Sequence, residues 1–337
     1  MGRKSDIVRA AAVLVAMALA FFAVWRAAES GRARDNAGKE RSLPKVERAN
    51  PYTVIGGARC QPKPNLESLL VIGTDCHGPL VDIEDKEEEE TIRSDTLLLL
   101  VVNKQEDTYA IIPINRSTML QVRSLTKDGE VENIGEAQAS FAYAGGSSRE
   151  QSCENAAWSV SEYLYGFPVD HTLAFSLDAI GVLNHAVGGV KVKIEDDFSR
   201  ADPSLKKGET VRLTDAQADA FVHGRMSVAD GTNENRMSRQ EVFLAAWGEQ
   251  MREKYRDSAD DAAEVLDELG DLMYTDMLKG DLSRILKAYI ADEDLGVYEI
   301  EGEVGKDPFF NWATFTPDGE SKEEVAMSVL FEPVPQQ

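Results

Sequence analysis

Arg93-Ser94-Asp95-Thr96 leads straight into Leu97-Leu98-Leu99-Leu100-Val101-Val102. Six apolar residues between polar ones are too few to cross a bilayer. The run suits a strand buried on both faces, with a buried helical segment as the alternative on pattern alone. Arg93 and Asp95 share side-chain parity and point to one side of such a sheet. The next apolar run, Tyr109 to Ile114, follows the polar break Lys104-Gln105-Glu106-Asp107. A hairpin closed by those four residues pairs Asn103 with Thr108 and, carried outward, Asp95 with Arg116 and Arg93 with Thr118. Directly opposed side chains lie about 4.5–5.5 Å apart at Cβ, so this register gathers Arg93, Asp95 and Arg116 at one end of the sheet. A slip of one residue sends Arg116 to the other face.

The chain has 337 residues, 43% of them hydrophobic, enough for one large domain or two small ones. Its start is not globular. Ala10 to Trp25 is uncharged and apolar, with Arg9 before it and Arg26 after it. At about 1.5 Å per residue the stretch falls slightly short of a roughly 30 Å hydrocarbon core, but Ile7 and Val8 extend it and the arginines can snorkel. The expectation is an uncleaved single-pass anchor within 1–27, an extracellular stalk over 28–64 and the main domain over 65–333. A cleaved signal peptide is the rival reading, since Ala18-Leu19-Ala20 has the small-x-small form, although a cut there falls inside the apolar run. Either way the bulk of the chain is exported. Basic residues on both sides of the span give N-in orientation only weak support.

The formal net charge is −23. That balance argues against nucleic acid or an anionic membrane surface as a general partner, and an anion could bind only at a local arginine cluster. Cys60, Cys76 and Cys153 lie in the exported part, where one disulfide and one free thiol are expected; spacing does not choose among the three pairings. No CxxC or Cys/His set is present, which speaks against zinc.

Leu69 to Ile72 reads as a strand ending in Gly73 and delivering Asp75. The acidic run Glu87 to Glu90 reads as part of a solvated loop. Ala137 to Tyr143 suggests a short helix, Ser152 to Tyr165 a helix stopping at Gly166, Thr172 to Phe175 a strand, Leu177 to Val187 a helix and Val190 to Ile194 a strand. Strands alternating with helices point to a layered α/β domain. Thr214 is a plausible N-cap for a helix over Asp215 to Val222. Asn235 to Arg252 is a further helix, with Arg236, Arg239 and Gln240 in its first turns. Helical rows put 236 and 240 on one face and turn 239 aside by roughly 60°. Arginines beside free backbone N–H groups at a helix start make an anion site; an arginine-rich solvated helix is the plainer alternative. Asp257 to Leu269 and Asp276 to Ala291 read as amphipathic helices, and Val297 to Gly302 with Val325 to Glu332 as a terminal strand followed by helix or strand. Tyr143 suits a lipid-channel wall as well as an ordinary core position. The C-terminal aromatics Phe309, Phe310, Trp312 and Phe315 either cover an apolar opening or simply pack.

In order, the chain carries Gly73-Thr74-Asp75, Arg93-Ser94-Asp95-Thr96, Asn115-Arg116-Ser117-Thr118, Phe141-Ala142-Tyr143-Ala144-Gly145-Gly146, Gly166-Phe167-Pro168-Val169-Asp170-His171, Val187-Gly188-Gly189-Val190 and Gly224-Arg225 followed by Asn233-Glu234-Asn235-Arg236-Met237-Ser238-Arg239-Gln240. Taken together behind an apolar N-terminus, these motifs resemble the LytR-CpsA-Psr family of bacterial cell-wall glycopolymer ligases, over about residues 66–332. The resemblance implies a layered α-β-α domain with a central mixed sheet. It also implies transfer of a glycopolymer from a polyprenyl-pyrophosphate carrier to peptidoglycan through a phosphodiester, with magnesium (Mg2+), at the cell membrane. Carried over residue by residue, Asp75 and Asp95 hold the metal, and Arg93, Arg116, Arg225, Arg236 and Arg239 grip the pyrophosphate. Gln240, Asn233 and His223 support them.

Four departures from the family pattern bear on rate more than on binding. His77 stands where an arginine is usual two residues after Gly-x-Asp, and His223-Gly224-Arg225 replaces an Arg-x-Arg pair. Arg116-Ser117 replaces Arg-Asp. Asn233 stands where many members have aspartate, leaving Asp230, substrate assistance or the metal to serve as base. A relative that only hydrolyses the pyrophosphate, and a non-catalytic polyprenyl-phosphate binder, are the competing expectations.

Overall fold

The structure is a computed structural model and describes residues 52–80, 91–106, 108–126, 129–224, 226–229, 231, 233–256, 269–277, 296–308 and 312–334. They belong to two compact units. The first draws on described residues within 52–177, 273–277 and 297–334, the second on those within 178–272 and on 296.

The first unit is built on a six-stranded mixed sheet in the order β11-β8-β3-β4-β5-β12. Its strands are β3 (Leu66–Thr74), β4 (Ser94–Asn103), β5 (Thr108–Ile114), β8 (His171–Phe175), β11 (Met273–Thr275) and β12 (Gly296–Val297). β4 pairs antiparallel with both β3 and β5, while β3 and β8 run parallel. Leu97 to Val102 are all buried, so this strand has no solvent face. Leu70, Ile72, Leu97, Leu99, Val101, Ile112 and Ile114 join Tyr143, Cys153, Ala156 and Val160 in one apolar cluster. On the opposite parity Leu69, Val71, Leu98, Leu100 and Ile111 are buried too. At about 1.5–3 kcal/mol for each fully buried aliphatic side chain, this two-sided burial outweighs any single polar contact in the sheet. Asn103 shapes the β4–β5 turn, its Oδ1 accepting the backbone N–H groups of Gln105 (3.0 Å) and Glu106 (3.3 Å).

Helix α1 (Arg149–Tyr163) starts at Ser148, whose hydroxyl accepts the Gln151 N–H, and packs against β8, β11 and the hairpin of β6 (Met119–Leu125) and β7 (Val131–Gln138). A 3-10 turn over Ala139–Phe141 follows β7 directly. The short strands β1 (Thr53–Ile55), β2 (Ala58–Pro62) and β15 (Phe331–Pro333) form a second sheet. β13 (Gly302–Lys306) and β14 (Ala313–Pro317) form a separate hairpin, followed by α5 (Gly319–Val325).

The second unit holds α2 (Ala179–Ala186), the ribbon β9 (Lys191–Lys193) with β10 (Thr210–Arg212), α3 (Asp215–His223) and α4 (Asn233–Tyr255). Thr214 caps α3 with a full capping box through Gln217, as its sequence suggests. Along α4, residues 239, 243, 247, 251 and 255 form one i,i+4 row, and Arg239, Phe243, Trp247, Met251 and Tyr255 are all buried. Arg239 is therefore a core residue. Its Nε donates to the Phe221 carbonyl (2.8 Å), its Nη1 to Asp196 Oδ2 (2.6 Å) and its Nη2 to the Gly224 carbonyl, over the face of Phe198. Gly224 is required there, since a Cβ would lie 2.5 Å from the Ala220 carbonyl oxygen.

Several expectations need correction. The folded part begins before residue 65, because Gly56-Gly57, both at positive φ, close a two-residue hairpin between β1 and β2. The three cysteines are all free and buried, so the expected disulfide is not formed. Cys60, for example, sits against Met327 Sδ at 3.6 Å. Ala137 and Gln138 end a strand, and only 139–141 turn helically. The apolar stretch 10–25, the acidic run 87–90, residues 257–268 and 278–291 of the helices expected over Asp257 to Leu269 and Asp276 to Ala291, and Phe309 and Phe310 lie outside the described residues, while Leu269, Asp276 and Met277 are not helical. Among the described residues no helix is long and apolar enough to cross a membrane.

Two stability predictions follow from charged groups in these cores. His171 lies 3.8 Å from Asp276 Oδ1 and 3.6 Å from Glu67 Oε1. The hydrogen bond with Asp276, then the charges of Asp276, Glu67 and Asp170, raise its pKa against the opposing effect of burial. A raised histidine pKa gives stability that is fully present below about pH 6.5 and lost as pH rises through the folded value. Thermal melts should show the melting temperature falling across that window in the native chain and a flatter profile in His171→Gln; parallel profiles would contradict this. Arg239→Ala should destabilise the chain by about 3 kcal/mol in urea titration, because it strands Asp196 and two carbonyls.

Candidate functional site

The β4–β5 register fixes the site. Asn103 faces Thr108 and Leu97 faces Ile114, and continuing one step brings Asp95 Oδ1 to 2.7 Å from Arg116 Nη1. On the other edge of β4 the ladder with β3 shifts, with Gly73 opposite Thr96 and Thr74 opposite Ser94. Asp95 is thus the extra residue of a β-bulge, a device that re-aims a side chain. Gly73 leaves room for the crossing strand, as a Cβ there would sit 3.1 Å from Thr96 Cβ.

The bulge also redirects Arg93, which meets Asp75 in place of Thr118. Arg93 N–H donates to Asp75 Oδ1 at 2.7 Å, Asp75 N–H donates to the Arg93 carbonyl at 2.9 Å, and Arg93 Nε lies 3.8 Å from Asp75 Oδ2. The Arg93 guanidinium also lies 5.3 Å from the centre of the Phe141 ring. Ser94 Oγ donates to the carbonyls of Ala139 and Ser140, and Ser140 N–H donates to the Arg116 carbonyl. The 3-10 turn therefore ties the Ser94 hydroxyl to the Arg116 backbone and sets Phe141 beside Arg93.

The two ion pairs differ in access. The side chains of Arg116 and Asp95 are 16% and 8% exposed, those of Arg93 and Asp75 45% and 32%. The inner pair is a fixed, desolvated charge arrangement, and the outer pair can rearrange toward a ligand. Burial is the largest influence on Asp75 and pushes its carboxyl above the ordinary range. The Asp95 charge adds to the rise, while the Arg93 backbone N–H and the charges of Arg93 and Arg116 oppose it. Among the described residues no group of three or more His, Cys, Asp or Glu is placed to hold a metal. Two aspartates alone suit a hard cation whose remaining ligands are water and phosphate oxygens, which is how magnesium is commonly held.

The other expected binding residues belong to the second unit. Arg239 is committed to its own core, so it is not available as a phosphate ligand. The apolar row 243, 247, 251, 255 was the signal in the sequence that marked its face. Arg236 and Gln240 share the neighbouring, half-buried row. His223 Nδ1 lies 2.6 Å from Asp219 Oδ1. Asn233 opens α4, while Arg225 and Asp230 lie outside the described residues. Sequence reasoning missed the part played by Phe141 and the whole β6–β7 hairpin, whose signals were the Asp128-Gly129 turn dipeptide and the weak alternation of Leu120, Val122 and Ser124.

The profile of the LytR_cpsA_psr family matches residues 30–327. A protein of Halalkalibacterium halodurans named polyisoprenyl-teichoic acid–peptidoglycan teichoic acid transferase TagU is 24% identical over 225 residues, covering 66% of this chain and 68% of that one. A Bacillus anthracis protein of the same name is 24% identical over 176 residues, and there the match spans about half of each chain, 52% and 50%. Among solved structures, B. subtilis TagV is similar with a TM-score of 0.56 and 20% identity, over 79% of this chain and 96% of that one. At that identity the structural likeness bears on the fold, whose mixed central sheet it shares. The match over most of its length settles the relationship: the chain belongs to the LytR_cpsA_psr family.

Proposed function

We propose that this chain transfers a glycopolymer from a polyprenyl-pyrophosphate carrier to peptidoglycan, leaving a phosphodiester link. Its curated relatives are named as teichoic acid transferases, which supports transferase chemistry. The observation that carries the finer reading is the pairing of Asp75 with Arg93 and of Asp95 with Arg116 at one sheet end.

Two arginines and two aspartates cancel in formal charge, so this cluster by itself holds no diphosphate. In this reading Asp75 and Asp95 hold magnesium, which supplies the missing positive charge to the phosphate oxygens when bound. Arg93 turns its guanidinium from Asp75 toward the diphosphate and binds two oxygens at once. Arg116, held by Asp95, offers its remaining N–H groups at a fixed angle. An acceptor hydroxyl of peptidoglycan attacks the phosphorus that carries the glycan. A new P–O bond forms, the bond to the carrier breaks, and polyprenyl phosphate leaves. The hydroxyl proton is taken up by Asp230, by the substrate itself or with help from the metal. Such transfer depends on positioning and charge neutralisation more than on covalent help from the protein. The apolar stretch 10–25 anchors the chain in the membrane, with the catalytic part on the outer side where peptidoglycan lies.

The full chain in detergent micelles, mixed with magnesium, a polyprenyl-pyrophosphate glycan and peptidoglycan fragments, should give a covalent glycan–peptidoglycan product. Free phosphorylated glycan alone would favour a hydrolase, and saturable binding without turnover a binding protein. Arg116→Ala and Asp95→Ala should each lower turnover by at least about 100-fold, the usual scale for removing a preorganised electrostatic contact. Both retaining native rates would contradict the assignment.

A further inference from the structure

Beside Phe141 the first unit carries a groove of about 420 Å³ that the pyrophosphate reading leaves unused. Its walls include Thr91, Arg123, Asn133, Gly135, Glu136 and Phe141. The volume lies within the range of about 300–1,000 Å³ common to small-molecule sites. The charge balance of these walls is neutral, with Arg123 set against Glu136. The Arg123 guanidinium also stacks on Trp158 at 3.9 Å, and Glu162 and Glu154 act on its charge. An anion gains little from an arginine already matched in this way. The Arg123 Nε–H is buried and finds no acceptor among the described residues, while Asn133, Glu136 and Thr91 are exposed donors or acceptors along the same walls. A neutral, hydroxyl-rich ligand with apolar ring faces answers this mixture of scattered polar groups and an aromatic wall.

We infer that the groove between the β6–β7 hairpin and Phe141 binds one or two sugar rings of a glycan substrate and delivers them to the Asp75–Arg93 pair. Phe141 is the shared wall, since Arg93 lies over its ring. The inference rests on the pyrophosphate reading only for its catalytic purpose; the groove binds sugar on its own account. The same chemistry could belong to the leading sugars of the carrier or to the peptidoglycan strand.

Gly135 offers a clean way to fill the groove, because a Cβ there meets only Asn133 Nδ2, at 3.9 Å. Full-length native chain, Gly135→Phe and the milder Asn133→Ala/Glu136→Gln double variant, all in micelles, would be titrated with soluble peptidoglycan disaccharide and with the free leading disaccharide of the carrier, followed by saturation-transfer NMR. Bare polyprenyl pyrophosphate would be titrated in parallel. The native chain should bind one of the two sugars. Gly135→Phe should weaken that binding, and raise the matching KM in transfer, at least tenfold, and the double variant severalfold, with bare pyrophosphate affinity within twofold of native. Loss confined to the peptidoglycan disaccharide assigns the groove to the acceptor, and loss confined to the other sugar assigns it to the donor. Sugar binding equal in all three proteins, or absent from the native chain, overturns the inference. Failure of the native chain to bind bare polyprenyl pyrophosphate instead contradicts the pyrophosphate reading and leaves the sugar result to judge the groove.

Discussion

One register governs the catalytic end of this molecule. Asn103 faces Thr108, and the Asn103 Oδ1, which accepts the Gln105 and Glu106 N–H groups, pins that alignment at the turn while the buried strand carries it to the far end of the sheet. Asp95 and Arg116 meet as a consequence, at 2.7 Å and largely out of solvent. An ion pair so placed is a poor source of net stability, since desolvation offsets most of its attraction. The sheet holds the pair in place, and the pair in turn is a preset electrostatic arrangement at the end of the sheet.

A single irregularity then converts a ladder into a site. The bulge at Asp95 lets β4 serve two partners, with Asp95 turned to Arg116 and Arg93 turned to Asp75. Ser94, between them, anchors the turn that presents Phe141. The acidic surface expected of a chain with net charge −23 makes this cluster a local exception. Burial, and to a lesser degree the Asp95 charge, raise the Asp75 carboxyl above its ordinary value, while the Arg93 N–H and the two arginine charges oppose the rise.

The hairpin and its consequence at Arg116 were legible because an unbroken apolar strand and a four-residue polar break leave few alternatives. The cap of α3 and the division between Arg236 and Arg239 were legible for similar local reasons. Three things were not. The bulge has no sequence mark beyond Gly73, so Arg93 was matched to Thr118. Arg239 was read from the first turn of α4 alone, when the buried row running on to Tyr255 assigned its face. The β6–β7 hairpin, exposed at Val131 and Ile134, lacks the strict alternation that burial on one face imposes.

The most direct measurement is a crystal structure of the chain grown with magnesium and a short-chain polyprenyl pyrophosphate. The account predicts diphosphate oxygens at about 2.7–2.9 Å from the guanidinium groups of Arg93 and Arg116, with the cation on Asp75 and Asp95. A diphosphate bound elsewhere, with both ion pairs left as they are in the ligand-free chain, would contradict it.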